Sequence, residues 1–205
     1  IDPFFMHVNG DLVIRWWSGA RADNGFVVAP GDLVMSPALR SAVGGGSALS
    51  VDHVEFLSES EFAGASWEDL GGIHLLSNLR ILQIHGGLGF EDDLDGFAEL
   101  LEHSHVLDTI DLRARGIRDL DPITRIPPLR KLTLTFGRIS DIGPLQDQPS
   151  LEYINLDGNE ITDISPLLNM PNLRQVILVS NPLSEESRNS HLPELRLRGV
   201  IVAAD

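Results

Sequence analysis

The chain has 205 residues, with 15 basic and 30 acidic side chains and a formal net charge of −15 at pH 7. A hydrophobic fraction of 42% allows a buried core and excludes a mainly disordered protein, while the absence of cysteine excludes disulfides and thiolate chemistry. The acidic balance argues against nucleic acid or an anionic membrane as principal partner, and no apolar run reaches the roughly 18 residues of a membrane-spanning helix.

The first residues are predicted to be foreign to the fold. Residues 1–5 are apolar and lack a charged region or a cleavage-site pattern, so we interpret them as a vector-derived scar. Nothing after Met6 resembles a signal peptide. We therefore expect a cytoplasmic location by default, with secretion as the alternative if a signal has been removed.

Residues 6–50 are predicted to form an amino-terminal cap with short strands. Residues 12–17 and 25–28 have strand composition, and Asn-Gly pairs that favour turns lie before each of them. A short helix is expected over 37–43. A separate ligand-binding domain is the less favoured alternative.

A repeat governs the rest of the chain. Leucines recur every 22 residues, at Leu107, Leu129, Leu151, Leu173 and Leu195. Each of the first four opens a segment of the form L-x-x-L-x-L with conservative replacements, and residues 51–56 and 79–84 carry the same opening. The spacings are therefore 28, 28, 22, 22 and 22 residues, and they define repeats over residues 51–182.

The repeat predicts an α/β solenoid. The alternation L-x-L is typical of a strand with one buried face, and no single unit can enclose its own apolar residues. Stacked units would form a curved parallel sheet on the concave face, with helices or 3₁₀ turns on the convex face. A helix is expected within 91–106, whereas the prolines of the 22-residue units leave room only for extended chain or 3₁₀ turns.

Both ends of a solenoid need caps, because an open end exposes core and strand edges. Residues 183–205 are predicted to supply the carboxy-terminal cap, a helix followed by a strand over 200–202. Ser184 is the expected N-cap of that helix, and Gly199 suits its exit.

The 22-residue units resemble the leucine-rich repeats of bacterial internalin-type proteins, as residues 139–145 and 159–167 show. The resemblance implies a protein that binds other proteins through its concave sheet. The family usually has an asparagine at the ninth position, where its side chain bridges adjacent turns; Asn159 and Asn181 fit this structural ladder. Three residues depart from it, namely Gly87, Arg115 and Gly137.

Alternation also predicts which residues emerge on the concave face. Aromatic and arginine side chains are the types that most often carry interface energy, and several of them fall in neighbouring columns. The candidate partner-binding residues are Arg113, Lys131, Phe136, Tyr153, Asn155, Asp157, Gln175 and Ile177.

Catalytic and metal chemistry find less support. Glu102, His103, His105 and Asp108 form a compact group, but their spacing matches no metal motif, so we predict no metal site, no cofactor and no catalytic residue. The recurring aspartates, Asp119, Asp141 and Asp163, are expected to accept backbone hydrogen bonds at turns.

The sequence thus predicts a non-enzymatic protein-interaction module. One alternative is an acidic inhibitor or immunity-type protein that occupies the active site of a basic enzyme. A metal-dependent enzyme that uses His103 and His105 is another, and a scaffold without a single partner is a third.

Overall fold

A computed structural model describes residues 4–8, 11–16, 53–57, 79–85, 94–101, 104, 106–113 and 116–205. Its strands form one sheet in which spatial order follows chain order. The strands are β1 (Phe4–Val8), β2 (Asp11–Trp16), β3 (His53–Leu57), β4 (Ile81–His85), β5 (Thr109–Arg113), β6 (Lys131–Thr135), β7 (Tyr153–Asn155), β8 (Gln175–Ile177) and β9 (Ile201–Ala203).

Parallel pairing dominates this sheet. Only β1 runs antiparallel to its neighbour β2, and every neighbouring pair from β2 to β9 is parallel. β2 confirms the strand expected near residue 12. β1 begins at Phe4, so the exclusion of residues 1–5 from the fold left out two residues, Phe4 and Phe5, that pair with β2.

The segments that connect successive strands, here called return segments, form an α-helix or a 3₁₀ helix according to their proline content. The 28-residue unit that begins at Leu79 forms helix α1 (Asp95–Leu101). This helix buries Phe97 completely and confirms the helix expected within 91–106. The 22-residue units form three 3₁₀ helices, η1 (Asp121–Arg125), η2 (Gly143–Asp147) and η3 (Ser165–Asn169). Each has a proline in its first positions, where the missing N–H and the fixed φ are tolerated.

The core is one continuous column of apolar side chains between the sheet and these helices. All five leucines of the 22-residue series are buried in it. Their neighbours within each strand, such as Leu132 and Leu134, are buried as well, which is the alternation that the repeat predicted. The fold is therefore the predicted leucine-rich repeat solenoid.

The aspartate column makes the same turn three times. A side-chain oxygen of Asp119, Asp141 and Asp163 accepts the backbone N–H two residues later, each time at 2.8 Å. These bonds fix the entry into η1, η2 and η3, because they satisfy an N–H group that the short helix leaves free. The expectation that these carboxylates act as backbone acceptors is confirmed.

The C-terminal segment reaches the sheet through a second helix. The Ser187 N–H donates to the Ser184 hydroxyl at 3.1 Å, a π-helical turn (Ser187–His191) follows, and α2 (Leu192–Leu197) comes next. Gly199 has φ +84, and the N–H groups of Gly199 and Val200 donate to Arg196 and Leu195, which is the Schellman pattern of a helix end. β9 then starts at Ile201, one residue later than predicted.

Two asparagines connect successive repeat turns. The Asn159 amide donates to the carbonyls of Leu134 and Leu156, both at 2.9 Å, and its oxygen accepts the Ile139 N–H at 3.2 Å. One unit later, Asn181 donates to Leu156 and Leu178 and accepts the Ile161 N–H. Each buried amide therefore satisfies backbone groups of two adjacent units.

Gln148 makes a similar connection that the sequence did not suggest. It is only 1% exposed and lies after η2, on the side away from the sheet. Its amide donates to the carbonyls of Ile123 at 2.8 Å and Ile126 at 3.0 Å, and its oxygen accepts the Leu129 N–H at 2.9 Å.

Charged side chains of alternating sign line the entrance of the strands. They occupy the position directly after the first leucine of each unit. Arg80 pairs with Asp108 at 2.6 Å, and Glu152 lies between Arg130 at 3.0 Å and Arg174 at 3.5 Å. We call this set, residues 80, 108, 130, 152 and 174, the charge column.

Other sequence expectations fall outside the described residues. They include the strand over 25–28, the helix over 37–43, Gly87, Arg115 and the histidines of the 102–105 group. Within the described ranges, no helix is long and apolar enough to cross a membrane.

Candidate partner-binding face

The strand register gathers the predicted site residues on one face of the sheet. Lys131 lies opposite Thr109 on one side and Tyr153 on the other, and Tyr153 lies opposite Gln175. Asn155 and Ile177 are opposite each other in the next column. We call the surface formed by these columns the concave face.

A third column completes that face. Arg113 lies opposite Thr135, and two residues beyond Asn155 comes Asp157, whose carbonyl accepts the Phe136 N–H at 2.9 Å. The whole set lies on four adjacent strands, β5 to β8, or directly after them. Neighbouring strands are about 4.8 Å apart. The structure thus brings together all eight residues that the sequence proposed, from Arg113 to Ile177.

Exposure differs strongly among these residues. Arg113, Lys131 and Phe136 are exposed, whereas Tyr153, Asn155, Asp157, Gln175 and Ile177 are partly buried between their neighbours. Phe136, directly after the last residue of β6, is 51% exposed, which makes it a large aromatic group that the edge of this face presents to solvent. Tyr153 and Ile177 are less accessible than the sequence pattern suggested.

The backbone of Phe136 is strained. Its φ is +59, a left-handed conformation that costs an ordinary residue about 1–2 kcal/mol. The equivalent positions of the next two units are Gly158 (φ +69) and Ser180 (φ +56), so the turn itself demands this conformation. Glycine suits such a position, and the first of these turns holds a phenylalanine instead.

The Phe136 ring lies against Gly158. A Cβ atom added to Gly158 would be 2.7 Å from the ring carbon Cδ1, which is closer than real contacts allow. Gly158 therefore suits its positive φ, and its lack of a side chain leaves the space that the ring occupies. A 22-residue column that reads Phe, Gly, Ser was the sequence signal for this arrangement.

Two polar atoms beside Phe136 lack hydrogen-bond partners among the described residues. They are the Thr135 hydroxyl, on a residue only 5% exposed, and the Asp157 oxygen Oδ1. The Asp157 N–H is used, since it donates to the Asn155 side chain at 3.0 Å. The sequence pointed to Asp157 but not to Thr135, because its burial depends on neighbours that only the folded sheet supplies.

β9 extends the concave face further than predicted. Ile201 lies opposite Gln175 and Ala203 lies opposite Ile177. Ile201 is 65% exposed. The sequence reasoning missed this extension because Ile201 follows Gln175 by 26 residues rather than 22.

The described residues assemble no metal-binding group. Among them, no three His, Asp or Glu side chains are placed to hold a metal ion. The concave face offers hydrogen-bond donors and acceptors, both signs of charge and one exposed ring, which is the chemistry of recognition.

Comparisons with known proteins agree with the repeat solenoid fold. Residues 127–183 match the family described as Leucine rich repeat. Among solved structures, the internalin inlF from Listeria monocytogenes is 20% identical with a TM-score of 0.55, and the match covers 76% of this chain and 41% of inlF. The comparison with curated proteins found no match.

Two further structures show the same architecture. The functional domain of InlJ from Listeria monocytogenes, which includes a cysteine ladder, is 20% identical with a TM-score of 0.50, over 72% of this chain and 29% of InlJ. A leucine-rich repeat protein of Leptospira interrogans is 17% identical with a TM-score of 0.51, over 74% of this chain and 46% of its own. The chain spans less than half the length of each of these proteins.

Residues 127–183 match the leucine-rich repeat family, and the fold is a leucine-rich repeat solenoid. Its solenoid of 22-residue units is similar in fold to those of inlF and InlJ.

Proposed function

We propose that this protein is a non-enzymatic interaction module that recognises a protein partner through its concave face. The observation that carries the proposal is Phe136, an aromatic side chain that is 51% exposed although its backbone is strained. An exposed aromatic ring at the edge of the sheet matches the residue types that dominate interfaces.

The neighbours of Phe136 support the same function. Lys131 and Arg113 are exposed cations on an acidic chain, and Tyr153 lies directly beside Lys131. Asn155, Asp157, Gln175 and Ile177 surround them with polar and apolar groups. Aromatic residues and arginine among polar neighbours are typical of a protein interface.

Affinity capture with paired variants tests the proposal. The wild-type chain and a Phe136→Ala/Tyr153→Ala double variant are used to retain proteins from lysates of the native organism and of candidate hosts, and mass spectrometry identifies them. We expect a partner that the wild type retains and the double variant binds roughly 30-fold more weakly, or about 2 kcal/mol.

Two controls separate binding from folding. Leu197→Ala removes an apolar side chain that is 89% exposed on α2, away from the concave face, and should retain the partner as the wild type does. Leu156→Ala empties a fully buried position and should lower the free energy of unfolding by about 2–5 kcal/mol. Equal retention by the wild type and the double variant would contradict binding through the concave face.

The identity of the captured protein decides between the proposed module and its alternative. The charge of −15 favours a basic partner by steering and complementarity, and it disfavours nucleic acid. Tight one-to-one binding to a nuclease or another basic enzyme, with loss of that enzyme's activity, would show that the protein is an inhibitor of the enzyme.

The location of the encounter is a separate proposal. We expect it in the cytoplasm, with a secreted form as the alternative. Fractionation of the native cells with an antibody against the chain distinguishes the two.

A further inference from the structure

We propose that the concave face receives an arginine side chain of the partner, with its guanidinium group between the Phe136 ring and the Asp157 carboxylate and with the Thr135 hydroxyl as a second acceptor. This inference rests on the proposed function and names the chemistry of the group that the concave face recognises. Its three components are adjacent in the fold.

The first argument is the unused hydrogen-bonding capacity. The Thr135 hydroxyl and the Asp157 oxygen Oδ1 are shielded from solvent, and neither has a partner among the residues that the structure describes, so a ligand reaches them once the groups that cover them move aside. Buried polar atoms in native proteins almost always have partners, so such atoms call for a specific explanation. A single ligand can satisfy two neighbouring acceptors only if it carries more than one hydrogen-bond donor.

The second argument is geometry. Thr135 ends β6, and Asp157 lies two residues beyond the end of β7, where its carbonyl accepts the N–H of Phe136, the residue after Thr135, at 2.9 Å. A guanidinium group is planar and carries five N–H donors in a fixed fork, so one group can serve both acceptors. An ammonium group has the charge but lacks that planar arrangement.

The third argument is the aromatic ring. Phe136 lies directly after Thr135, and its ring rests against Gly158, which directly follows Asp157. A guanidinium group that pairs with the carboxylate can therefore also lie against the exposed ring face, where the ring quadrupole attracts a cation. The left-handed backbone of Phe136 is what places the ring there.

The fourth argument is charge. Asp157 forms no ion pair with any residue in the described part of the chain, whereas Asp108 and Glu152 of the charge column are both paired. Arg113 is opposite Thr135 and is separated from Asp157 by the whole of β6. Because Asp157 is partly buried, a cation that reaches it is screened less than one on an open surface.

A titration with a small probe tests the inference without the partner. N-acetyl-arginine methylamide is added to the ¹⁵N-labelled chain, and amide chemical shifts are followed by NMR. We expect saturable shifts centred on Thr135, Phe136, Asp157 and Gly158. N-acetyl-citrulline methylamide, which is nearly isosteric but neutral, should bind at least about fivefold more weakly, because charged hydrogen bonds are the stronger ones.

Matched variants locate the effect. Asp157→Asn keeps the shape and removes the charge, and it should weaken the arginine probe to the level of the citrulline probe. Thr135→Val removes only the hydroxyl and should weaken the arginine probe to a smaller extent. Asp147→Asn removes the same charge from the exposed end of η2 and should leave binding unchanged.

Three results would overturn the inference: no saturable shift at these amides, equal binding of the two probes, or equal binding by wild type and Asp157→Asn. Its failure is distinguishable from failure of the proposed function. A partner that is lost with the Phe136/Tyr153 double variant but retained by Asp157→Asn would leave the concave face as the binding site and exclude an arginine at Asp157.

Discussion

The contact between units 107–128 and 129–150 differs from the next two contacts in where its buried amide lies. In the later contacts the amide belongs to Asn159 and Asn181, close to the end of a strand. In the first contact that position is Gly137, and the amide belongs to Gln148 on the opposite side of the core. Each of these three contacts therefore contains a buried side-chain amide that bonds to three backbone groups or more.

Each of the three contacts has such an amide, but its location differs between the first contact and the later two. The residues equivalent to Gln148 are apolar in the other 22-residue units, namely Ile126, Met170 and Leu192, whereas the preceding 28-residue unit has the buried Ser104 there. Stacking repeats leaves buried N–H and C=O groups that the ladder of the sheet does not reach, and each carries a penalty until it is paired. One amide per contact satisfies several of them, either beside the strand or beside the return segment.

The largest expected effect comes from Gln148→Leu. The substitution leaves the Leu129 N–H and the carbonyls of Ile123 and Ile126 without their side-chain partner. We expect the free energy of unfolding to fall by about 3 kcal/mol, measured by urea denaturation. Met170→Leu, a volume-conserving change at the equivalent site, should cost less than about 1.5 kcal/mol. Equal costs for the two variants would refute the bridging role of Gln148.

Gly137→Asn should have a smaller and opposite effect. An asparagine there can repeat the pattern of Asn159 and Asn181, with Leu112 and Leu134 as acceptors and the Ile117 N–H as donor. We expect a gain of about 1 kcal/mol in the free energy of unfolding. In the Gln148→Leu background the same substitution should recover part of the lost free energy of unfolding. A destabilising effect in both backgrounds would show that an asparagine at position 137 cannot form the bonds of Asn159 and Asn181.

The smallest effect concerns pH at the last contact. The Ser165 N–H holds the pKa of Asp163 below its usual value, and the Ser165 hydroxyl and the nearby His191 act in the same direction against partial desolvation. A carboxyl with a lowered folded pKa stabilises the fold above its unfolded pKa, and this contribution is lost as pH falls through the folded pKa.

Asp163→Asn should therefore lose less stability than the wild type below about pH 4. Ser165→Ala keeps the backbone donor and should fall between the two. Urea denaturation as a function of pH provides the measurement, and identical acid slopes for wild type and Asp163→Asn would rule out the contribution.

Periodicity accounts for what the sequence predicted well. The columns from Lys131 to Gln175, the turns at Asp119, Asp141 and Asp163, and the 3₁₀ helices at the prolines all follow from residues that recur with the unit. A recurring residue is informative because every unit must solve the same packing problem.

Residues that break the period were not predicted. Gln148 interrupts an apolar column, and its bonds depend on carbonyls that are brought near it only when the units stack. The burial of Thr135 likewise depends on the neighbouring strands. Ile201 was displaced from the pattern because the π-helical turn and α2 lie between β8 and β9.

The charge column has a consequence for how this solenoid can change its length. Its signs alternate from Arg80 to Arg174, one charge for each unit. Removing one unit, such as 107–128, would bring Arg80 beside Arg130, whereas removing 107–150 would bring Arg80 beside Glu152. Exposed pairs contribute only about 0–1 kcal/mol each, but like charges in their place reverse the sign of that contribution. We therefore expect the removal of two units to preserve the alternation of charge, whereas the removal of one unit places like charges side by side.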